Sequence, residues 1–296
     1  MVRVLGIGDN VVDKYKHTGV LYPGGNALNF SVYASRLGAS ASYMGVVGDD
    51  EAASHIEATL KNLNIDVSRL QREHGENGYA EVELVDGDRV FIGGNKGGVS
   101  KNHPITYETE LDYIAGFDLI HTSCYSFLDS ALPTLAEHQS RISYDFSTHY
   151  TDTHLKETAP HIYCAALSCS HLDDEDILRL IALVQGNGCP IVIASKGMRG
   201  VTAAVGDIVL TQEAFPIPVI DSMGAGDSLI TSFLIRYLEL LKSLNLLGSK
   251  REIISDLKHA IELFKPRLRL ILAQSVLYAT ENCMISGAFD FGVPYE

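Results

Sequence analysis

Basic residues are scarce in this chain: 23 lysines and arginines stand against 37 aspartates and glutamates, which gives a net charge of −14. A protein that binds nucleic acid needs clustered lysine and arginine to neutralise the phosphate backbone. We therefore expect no nucleic-acid partner. Small phosphate ligands are still compatible with this charge, because backbone N–H groups can hold them without net positive charge.

Cysteine is scarce too, and five residues are scattered along the chain: Cys124, Cys164, Cys169, Cys189 and Cys283. They form neither a disulfide framework nor a C-x-x-C metal motif, so we expect reduced thiols and a cytoplasmic protein. No uncharged apolar run reaches about 18 residues, which argues against a membrane partner. The first eight residues indicate a strand and a turn, without the apolar segment of a signal peptide.

Several catalytic signatures are missing as well. The sequence has no G-x-x-x-x-G-K-[ST], H-R-D, D-F-G, H-E-x-x-H or G-x-S-x-G, so Walker-type NTPase, protein kinase, zinc protease and α/β-hydrolase functions lack motif support. Gly6-Ile7-Gly8 begins a dinucleotide fingerprint, but Val11 occupies the third glycine position. This incomplete fingerprint disfavours a dinucleotide oxidoreductase.

The order of strand-like and helical runs predicts one α/β domain over residues 1–296. The alternation is typical of a doubly wound, mainly parallel sheet with helices on both faces. Two segments, at about 11–22 and 78–94, depart from it, and we expect their strands to form a small β-sheet lid that excludes water from a site. A surface hairpin with no role in chemistry is the alternative. The region at about 225–286 is predicted to be helical, with a break at Lys265-Pro266.

The sequence Asp221-Ser222-Met223-Gly224-Ala225-Gly226-Asp227 precedes a long helical run. Its small residues let a ligand approach the backbone, and a helix that begins there presents unpaired N–H groups and its positive dipole end. These features predict a phosphate site. For Asp227, beside that phosphate, we predict proton abstraction from a hydroxyl that attacks phosphorus. An ordinary glycine-containing turn with an acidic first helical turn is the alternative.

Two acids near the N-terminus follow the first strand-like run, where α/β folds bind ligands. A carboxylate such as that of Asp13 can accept hydrogen bonds from two substrate hydroxyls at once. A solvated loop acid stays an alternative for Asp13, and it is the preferred interpretation of Asp9.

A predicted helix at 26–37 begins with Gly24-Gly25-Asn26-Ala27-Leu28-Asn29. The two glycines allow close approach, and Asn26 and Asn29 share one face of the first turn because they are three residues apart. Their amides can donate to and accept from sugar hydroxyls. Alternatively, Asn26 only caps the helix.

The turn Ser195-Lys196-Gly197-Met198-Arg199-Gly200 separates two strand-like runs. Glycines three residues apart permit a tight turn that passes close to a nucleotide phosphate or ribose. The acids at 173–176 occupy the first turn of a predicted helix, and their spacing does not match a calcium-binding loop. The histidines do not follow the spacing of zinc ligands. The metal ligands are therefore unknown from the residues alone.

Taken in order, G-G-N-x-x-N, S-K-G-x-x-G and D-S-M-G-A-G-D resemble the PfkB (ribokinase-like) carbohydrate kinases over nearly the whole chain. Residues 8–13, the hairpin residues 82–84 and 88–91, and the G-G-N-A-L-N helix start look most like the branch that phosphorylates fructosamines on the sugar's 6-hydroxyl. The resemblance implies a ribokinase-like fold, ATP as cofactor with Mg²⁺ held mostly through phosphates and water, and a sugar or fructosamine substrate.

The resemblance also implies a role for each matched residue. Asp227 would be the base, and the N–H groups of Gly224, Ala225 and Gly226 would stabilise the transferred phosphoryl group. The sugar would be held by Asp13, Gly24, Gly25, Asn26 and Asn29. The nucleotide would contact Ser195, Gly197, Gly200 and Asn282. Asp221 is where relatives often place a structural monovalent cation, and the lid would allow a homodimer.

Three departures from the family pattern are visible. The family's N-x-x-E is replaced around 168–172, which leaves Glu175 as the candidate for a metal-linked role. Ser222 stands where threonine is commoner, and the helical stretch 241–277 looks longer than usual. Hexose or nucleoside kinases of the same family are alternatives, and so is a non-catalytic sugar-binding relative, although such a protein needs no base at Asp227.

Overall fold

The computed structural model describes residues 1–85, 88–139, 141–247 and 261–295. The strands, in chain order, are β1 (Arg3–Ile7), β2 (Val11–Tyr15), β3 (Val20–Gly24), β4 (Ser40–Met44), β5 (Val46–Val47), β6 (Gln71–Arg72), β7 (Tyr79–Val85), β8 (Asp88–Gly94), β9 (Leu119–Ser123), β10 (Ile142–Asp145), β11 (Cys164–Ser168), β12 (Ile191–Ser195), β13 (Val201–Val205), β14 (Ile208–Gln212) and β15 (Val293–Pro294).

The helices are α1 (Asn26–Arg36), α2 (Glu51–Asn62), α3 (Val99–Asn102), α4 (Leu111–Ala115), α5 (Leu132–His138), α6 (Asp152–Thr158), α7 (Asp174–Gly186), α8 (Ala225–Ser243) and α9 (Ile261–Asn282). Short 3₁₀ turns cover Glu108–Glu110, Asp129–Ala131, Ala159–His161 and Gly197–Arg199.

The main sheet has eight strands in the order β14-β13-β12-β11-β10-β9-β1-β4. The strands from β12 to β4 are parallel, and β13 and β14 add an antiparallel edge. The parallel strands are almost continuously buried, as expected when helices cover both faces. Because parallel strands end at the same edge, the residues that follow β1, β9, β10 and β12 collect along one rim.

One hydrophobic core lies on each face of this sheet, as the alternation predicts. Phe30 and Tyr33 of α1 pack with Phe233 of α8 and Leu268 of α9 on one face. On the other face, the residues of β9 to β12 pack against α5 and α7. The predicted doubly wound α/β fold with helices on both faces is confirmed.

The second, smaller sheet has the order β15-β3-β2-β7-β8. The first of the two expected segments contains two antiparallel strands, β2 and β3, rather than one, because the chain reverses near Gly19, which has a φ of 66°. The second segment is the expected hairpin of β7 and β8, whose turn residues 86 and 87 lie outside the described part. Strand β8 is at the edge of this small sheet.

The predicted helix break at Lys265-Pro266 is wrong, because α9 runs through Pro266 without interruption. A proline inside a helix removes one backbone hydrogen bond and costs about 3 kcal/mol. Burial of Phe264, Leu268 and Leu272 in the core beside α8 offsets this cost. The part of the predicted helix at 250–260 lies outside the described residues. No helix in the described ranges is both long and apolar enough to cross a membrane.

Candidate active site

The first turns of α1 and α8 meet around the carboxylate of Asp227. Asn29 Nδ2 donates to Asp227 Oδ2 at 2.6 Å, and Asn26 Nδ2 donates to Asp227 Oδ1 at 2.8 Å. The three-residue spacing of the two asparagines puts both amides on the same face of α1, as predicted. Each oxygen of Asp227 is thus oriented by one side-chain amide.

The Asn26 side chain does not cap its helix. Gly25 is the N-cap residue, with a φ of 111°, and Asn26 Nδ2 also donates to Asp145 Oδ2 at 2.8 Å. Asn26 Oδ1 hydrogen bonds to His121 Nε2 at 2.8 Å. These contacts fix the orientation of the Asn26 amide. The His121 nitrogen donates to the amide oxygen, and the amide nitrogen donates to the carboxylates of Asp145 and Asp227.

Asp9 performs the capping function instead, so its interpretation as a solvated loop acid is wrong. Its carboxylate is buried and accepts the backbone N–H of Asn26 at 2.6 Å and that of Ala27 at 3.3 Å. Ser123 Oγ and Ser126 Oγ donate to the same carboxylate at 2.8 and 2.9 Å. Asp9 therefore holds the start of α1 against the rim of the main sheet.

Two residues that no sequence motif marked, Asp145 and His121, belong to this network. Burial, and next the charge of Asp227, raises the pKa of Asp145 to about 7. Burial lowers the pKa of His121 to about 3, so its ring is neutral and can donate from only one nitrogen. Asp145 could have been found, because it is an acid at the carboxyl end of a predicted parallel strand.

Asp13 lies on β2 of the small sheet and is 3% exposed. No donor in the described chain hydrogen bonds to its carboxylate. Burial raises its pKa to about 7, an effect that the charge of Arg89 opposes and the charges of Asp221 and Asp227 reinforce. A Cβ atom on Gly24 would lie only 2.5 Å from Asp13 Oδ2, which explains the glycine at that position. Asp13 thus offers acceptors that no described protein donor uses.

The predicted phosphate site lies at the start of α8. Gly224 has a φ of 71°, and a Cβ atom there would collide with the hydroxyl of Tyr33. The N–H groups of Gly224 and Gly226 donate to no acceptor in the described chain, and that of Ala225 makes a 3.3 Å bond to the Ser222 carbonyl. Nothing lies within 4 Å of a Cβ built on Gly226, so open space faces this helix start.

Withdrawal from water raises the pKa of Asp227 above its ordinary value, and the amide of Asn29 and the charge of Arg89 oppose this shift. A carboxylate with a raised pKa is a stronger proton acceptor than an exposed one. The site therefore combines a basic carboxylate with free backbone donors on the same helical turn.

Asp221 is completely buried and holds three segments together. Its carboxylate accepts hydrogen bonds from Tyr15 Oη at 2.6 Å and from the backbone N–H groups of Met223 and Gly287 at 2.9 and 2.8 Å. These three protein donors use three of the roughly four acceptor positions of a carboxylate, and the monovalent-cation role of Asp221 stays a prediction. The carboxylate joins the small sheet to the loop that precedes α8.

The predicted nucleotide turn lies farther along the same rim. Gly197 and Gly200 have φ values of 59° and 88°, and Gly200 O accepts the N–H of Lys196 at 2.7 Å. Ser195 Oγ donates to the Leu167 carbonyl at 3.3 Å. Among the described residues, no hydrogen bond or ion pair joins this turn to Asp227, Asn26 or Asn29. Strands β10 and β12 are two positions apart in the sheet, so about 10 Å separates their axes.

The fourth predicted nucleotide residue, Asn282, is buried at the end of α9. Its Nδ2 donates to the Met223 carbonyl at 3.1 Å, directly before Gly224. This contact connects Asn282 to the helix start at residue 224 rather than to the turn at 195–200.

The side chains of the described residues do not form a metal-binding cluster of three or more His, Cys, Asp or Glu. Glu175, the candidate for a metal-linked role, is exposed on α7 and pairs with Arg179 one turn away. Its position fits the acidic start of a helix, where carboxylates interact favourably with the helix dipole. A cation in this site would be coordinated mainly by a bound phosphate ligand and water.

Comparison with known proteins agrees with this architecture. The pfkB family carbohydrate kinase description matches residues 3–248. Fructosamine kinase FrlD of Bacillus subtilis is 36% identical over 297 aligned positions, which cover 100% of this chain and 95% of that protein. Fructoselysine 6-kinase of Escherichia coli is 33% identical over 234 positions, with 79% of this chain and 88% of that protein covered.

Solved structures share the fold at low sequence identity. Ribokinase from Giardia lamblia superposes with a TM-score of 0.78 at 15% identity, over 97% of this chain and 95% of that one. Arabidopsis thaliana ribokinase, complexed with ribose and ATP, gives a TM-score of 0.75 at 18% identity over 97% and 94% of the two chains. The chain belongs to the pfkB family of carbohydrate kinases, and it is therefore a phosphotransferase.

Proposed function

We propose that this enzyme transfers the γ-phosphoryl group of ATP to a sugar hydroxyl of a fructosamine, as a fructoselysine 6-kinase does. The observation that carries the mechanism is the carboxylate of Asp227, which Asn26 and Asn29 orient beside unpartnered backbone N–H groups. The whole-length similarity to a fructosamine kinase supports the substrate class.

Asp227 accepts the proton of the attacking hydroxyl. The hydroxyl oxygen then forms a bond to the γ-phosphorus while the bond to the bridging β–γ oxygen breaks, which releases ADP. Negative charge on the transferred group is stabilised by the N–H groups of Gly224, Ala225 and Gly226 and by the positive end of the α8 dipole. The amides of Asn26 and Asn29 already hold the Asp227 carboxylate in place, so the base does not need to reorient at this step.

The sugar lies between the small sheet and the start of α1. Asp13 accepts hydrogen bonds from its hydroxyls, and Asn26 and Asn29 add polar contacts while orienting Asp227. Gly24 and Gly25 lie between these groups, because a Cβ on Gly24 would press on the Asp13 carboxylate and one on Gly25 would collide with the backbone of Asn10. The buried and unpaired state of Asp13 supports this assignment.

ATP binds along the rim from α8 to the turn at 195–200. A separation of about 10 Å across two strands suits a polyphosphate chain, with Ser195, Gly197 and Gly200 at the nucleotide end. We place Asn282 near the adenine. Its hydrogen bond to the Met223 carbonyl also connects it to the phosphate-binding segment. Mg²⁺ enters with ATP, held mostly through phosphate oxygens and water.

The small sheet acts as a lid over one kinase domain and provides the dimer interface. Strand β8 is an unpaired edge, and its hairpin exposes Val85, Val90, Phe91 and Ile92. Exposed apolar edge strands pair readily with another chain. A dimeric mass in solution supports this interface, and a strictly monomeric enzyme contradicts it. The thiols of Cys124, Cys164, Cys169 and Cys283 suit the reducing cytoplasm, where we place the enzyme.

A coupled ADP-release assay tests the substrate assignment. Fructosamines, hexoses, pentoses and nucleosides are compared at equal concentrations with ATP, and fructosamines are expected to give the highest kcat/KM. A higher value for a hexose or a nucleoside assigns the enzyme to another branch of the family. Binding of sugars without ADP release from any of them identifies a non-catalytic relative.

A further inference from the structure

Within the described residues, strand β8 of the small sheet contacts the phosphate-site segment at Ser222. Arg89 Nη1 donates to the Ser222 carbonyl at 2.9 Å and lies 3.2 Å from Ser222 Oγ. The backbone N–H of Arg89 donates to the same hydroxyl at 3.3 Å, and Ser222 Oγ donates to Asp88 Oδ1 at 2.7 Å. Two consecutive residues of β8 therefore hold both polar groups of Ser222.

The Ser222 carbonyl has a second partner that matters for the chemistry. It accepts the N–H of Ala225, the bond that closes the turn leading into α8. Arg89 thus fixes the carbonyl that sets the geometry of this turn. The backbone donors of Gly224 and Gly226 follow directly along the chain, so their directions depend on the same turn.

The guanidinium group of Arg89 also acts on the carboxylates of the site. Its charge lowers the pKa of Asp13 and that of Asp227, against the opposing effect of burial. It therefore favours the ionised form that a base requires. Strand β8 of the hairpin supplies both the contact and the charge.

We propose that Arg89 is a positioning residue that couples closure of the hairpin to assembly of the phosphate site, with Ser222 as its receptor. Closure brings the guanidinium group to Ser222, which orients the turn before α8, and places its positive charge near the base. When the hairpin opens, the segment loses both the hydrogen bonds and the charge. This inference rests on the proposed phosphoryl transfer, and it predicts that Arg89 acts on turnover more than on ATP binding.

The chain contains no tryptophan, so a single introduced one provides the whole tryptophan signal. Phe91→Trp places it on β8, where the native ring is 57% exposed. Fluorescence of this variant is recorded with a non-hydrolysable ATP analogue, with and without sugar. The same measurements are made after adding Arg89→Gln, Ser222→Ala or Ser222→Thr, and kcat and KM are determined for each in parallel.

Arg89→Gln is expected to lower kcat by about 100-fold, to change the KM for ATP by less than about threefold, and to abolish the fluorescence change. Ser222→Ala should lower both kcat and the fluorescence change by about tenfold. Ser222→Thr keeps the hydroxyl group and should restore both. Arg69→Gln removes an arginine that pairs with Glu110 at the surface, and it serves as the charge control.

Three results would overturn the inference. A lower kcat with an intact fluorescence change means that Arg89 acts on the phosphoryl group directly. An effect confined to the KM for sugar makes it a substrate contact, and full activity in Arg89→Gln removes any role. The fluorescence arm needs only nucleotide and sugar binding, so it distinguishes failure of this coupling from failure of the proposed kinase activity.

Discussion

Asn29 Nδ2 lies 2.6 Å from Asp227 Oδ2, and this hydrogen bond joins two helix starts that are 198 residues apart in the chain. Asn26 makes the corresponding bond to the other carboxylate oxygen. The proposed base is thus positioned by α1, whereas the proposed phosphate donors belong to α8. The catalytic geometry exists only where these two helices pack together on the same face of the main sheet.

Replacing the base gives the most direct prediction. Asp227→Ala should reduce kcat by several orders of magnitude, because it removes the proton acceptor from the attacking hydroxyl. Sugar affinity should change little, since Asp13 still offers its carboxylate. Steady-state kinetics and calorimetric sugar binding measure the two quantities separately. Wild-type turnover in the variant would refute the assignment of the base.

The pH dependence of catalysis follows from the raised pKa of Asp227. Because the ionised form is the base, kcat/KM should fall as the pH decreases through this pKa, above the ordinary range of an aspartate. Asn29→Ala removes a hydrogen bond that lowers the pKa, so the acid limb should shift to higher pH and kcat should fall about 10–100-fold. Asn102→Ala, at an exposed position on α3, is the control. An unshifted acid limb in Asn29→Ala argues against this coupling.

The buried carboxylates make stability depend on pH. The pKa values of Asp13 and Asp145 are about 7 in the folded protein and ordinary, near 4, in the unfolded chain. The folded state therefore binds more protons between about pH 4 and 7, and the free energy of unfolding should decrease as the pH rises through this window.

Asp145→Asn tests that dependence. In this variant, the free energy of unfolding should decrease less between about pH 4 and 7 than in the wild type. The difference should be at most about 4 kcal/mol, the maximum contribution of one group, whatever the absolute stability of the variant. Urea denaturation at a series of pH values measures the effect, with Asp112→Asn as an exposed control. A decrease as steep as that of the wild type would show that Asp145 does not hold the proton.

Two glycines of the phosphate-site segment provide a matched pair. Gly224→Ala forces a side chain into a left-handed conformation and against Tyr33, so it should cost about 1–3 kcal/mol or more of stability. Gly226→Ala has a free environment and ordinary dihedral angles, and its stability should be unchanged or higher by up to about 1 kcal/mol.

Gly226→Ala should nevertheless lower kcat, because its Cβ atom fills space that the transferred phosphoryl group needs. Thermal unfolding and steady-state kinetics on both variants separate the two effects. Full activity in a stable Gly226→Ala variant would contradict phosphate binding at this helix start.

Local signals made much of this protein predictable. The alternation of runs gave the parallel sheet, and the glycines with the spacing of the two asparagines marked the starts of α1 and α8. The same local reasoning failed at Pro266, where burial of α9 against α8 outweighs the cost of an internal proline. It also failed at Asp9, where burial and four donors replace the expected contact with water.

By itself, the sequence determined the starts of α1 and α8, the alternation of strands and helices, and which family the chain resembles, because these properties depend on neighbours a few residues apart. Only the tertiary structure decided that Asp145 and His121 surround Asn26, and that Arg89 reaches Ser222. These contacts join side chains at least 95 residues apart. Sheet order and helix packing across the whole chain set such distances, and no local pattern encodes them.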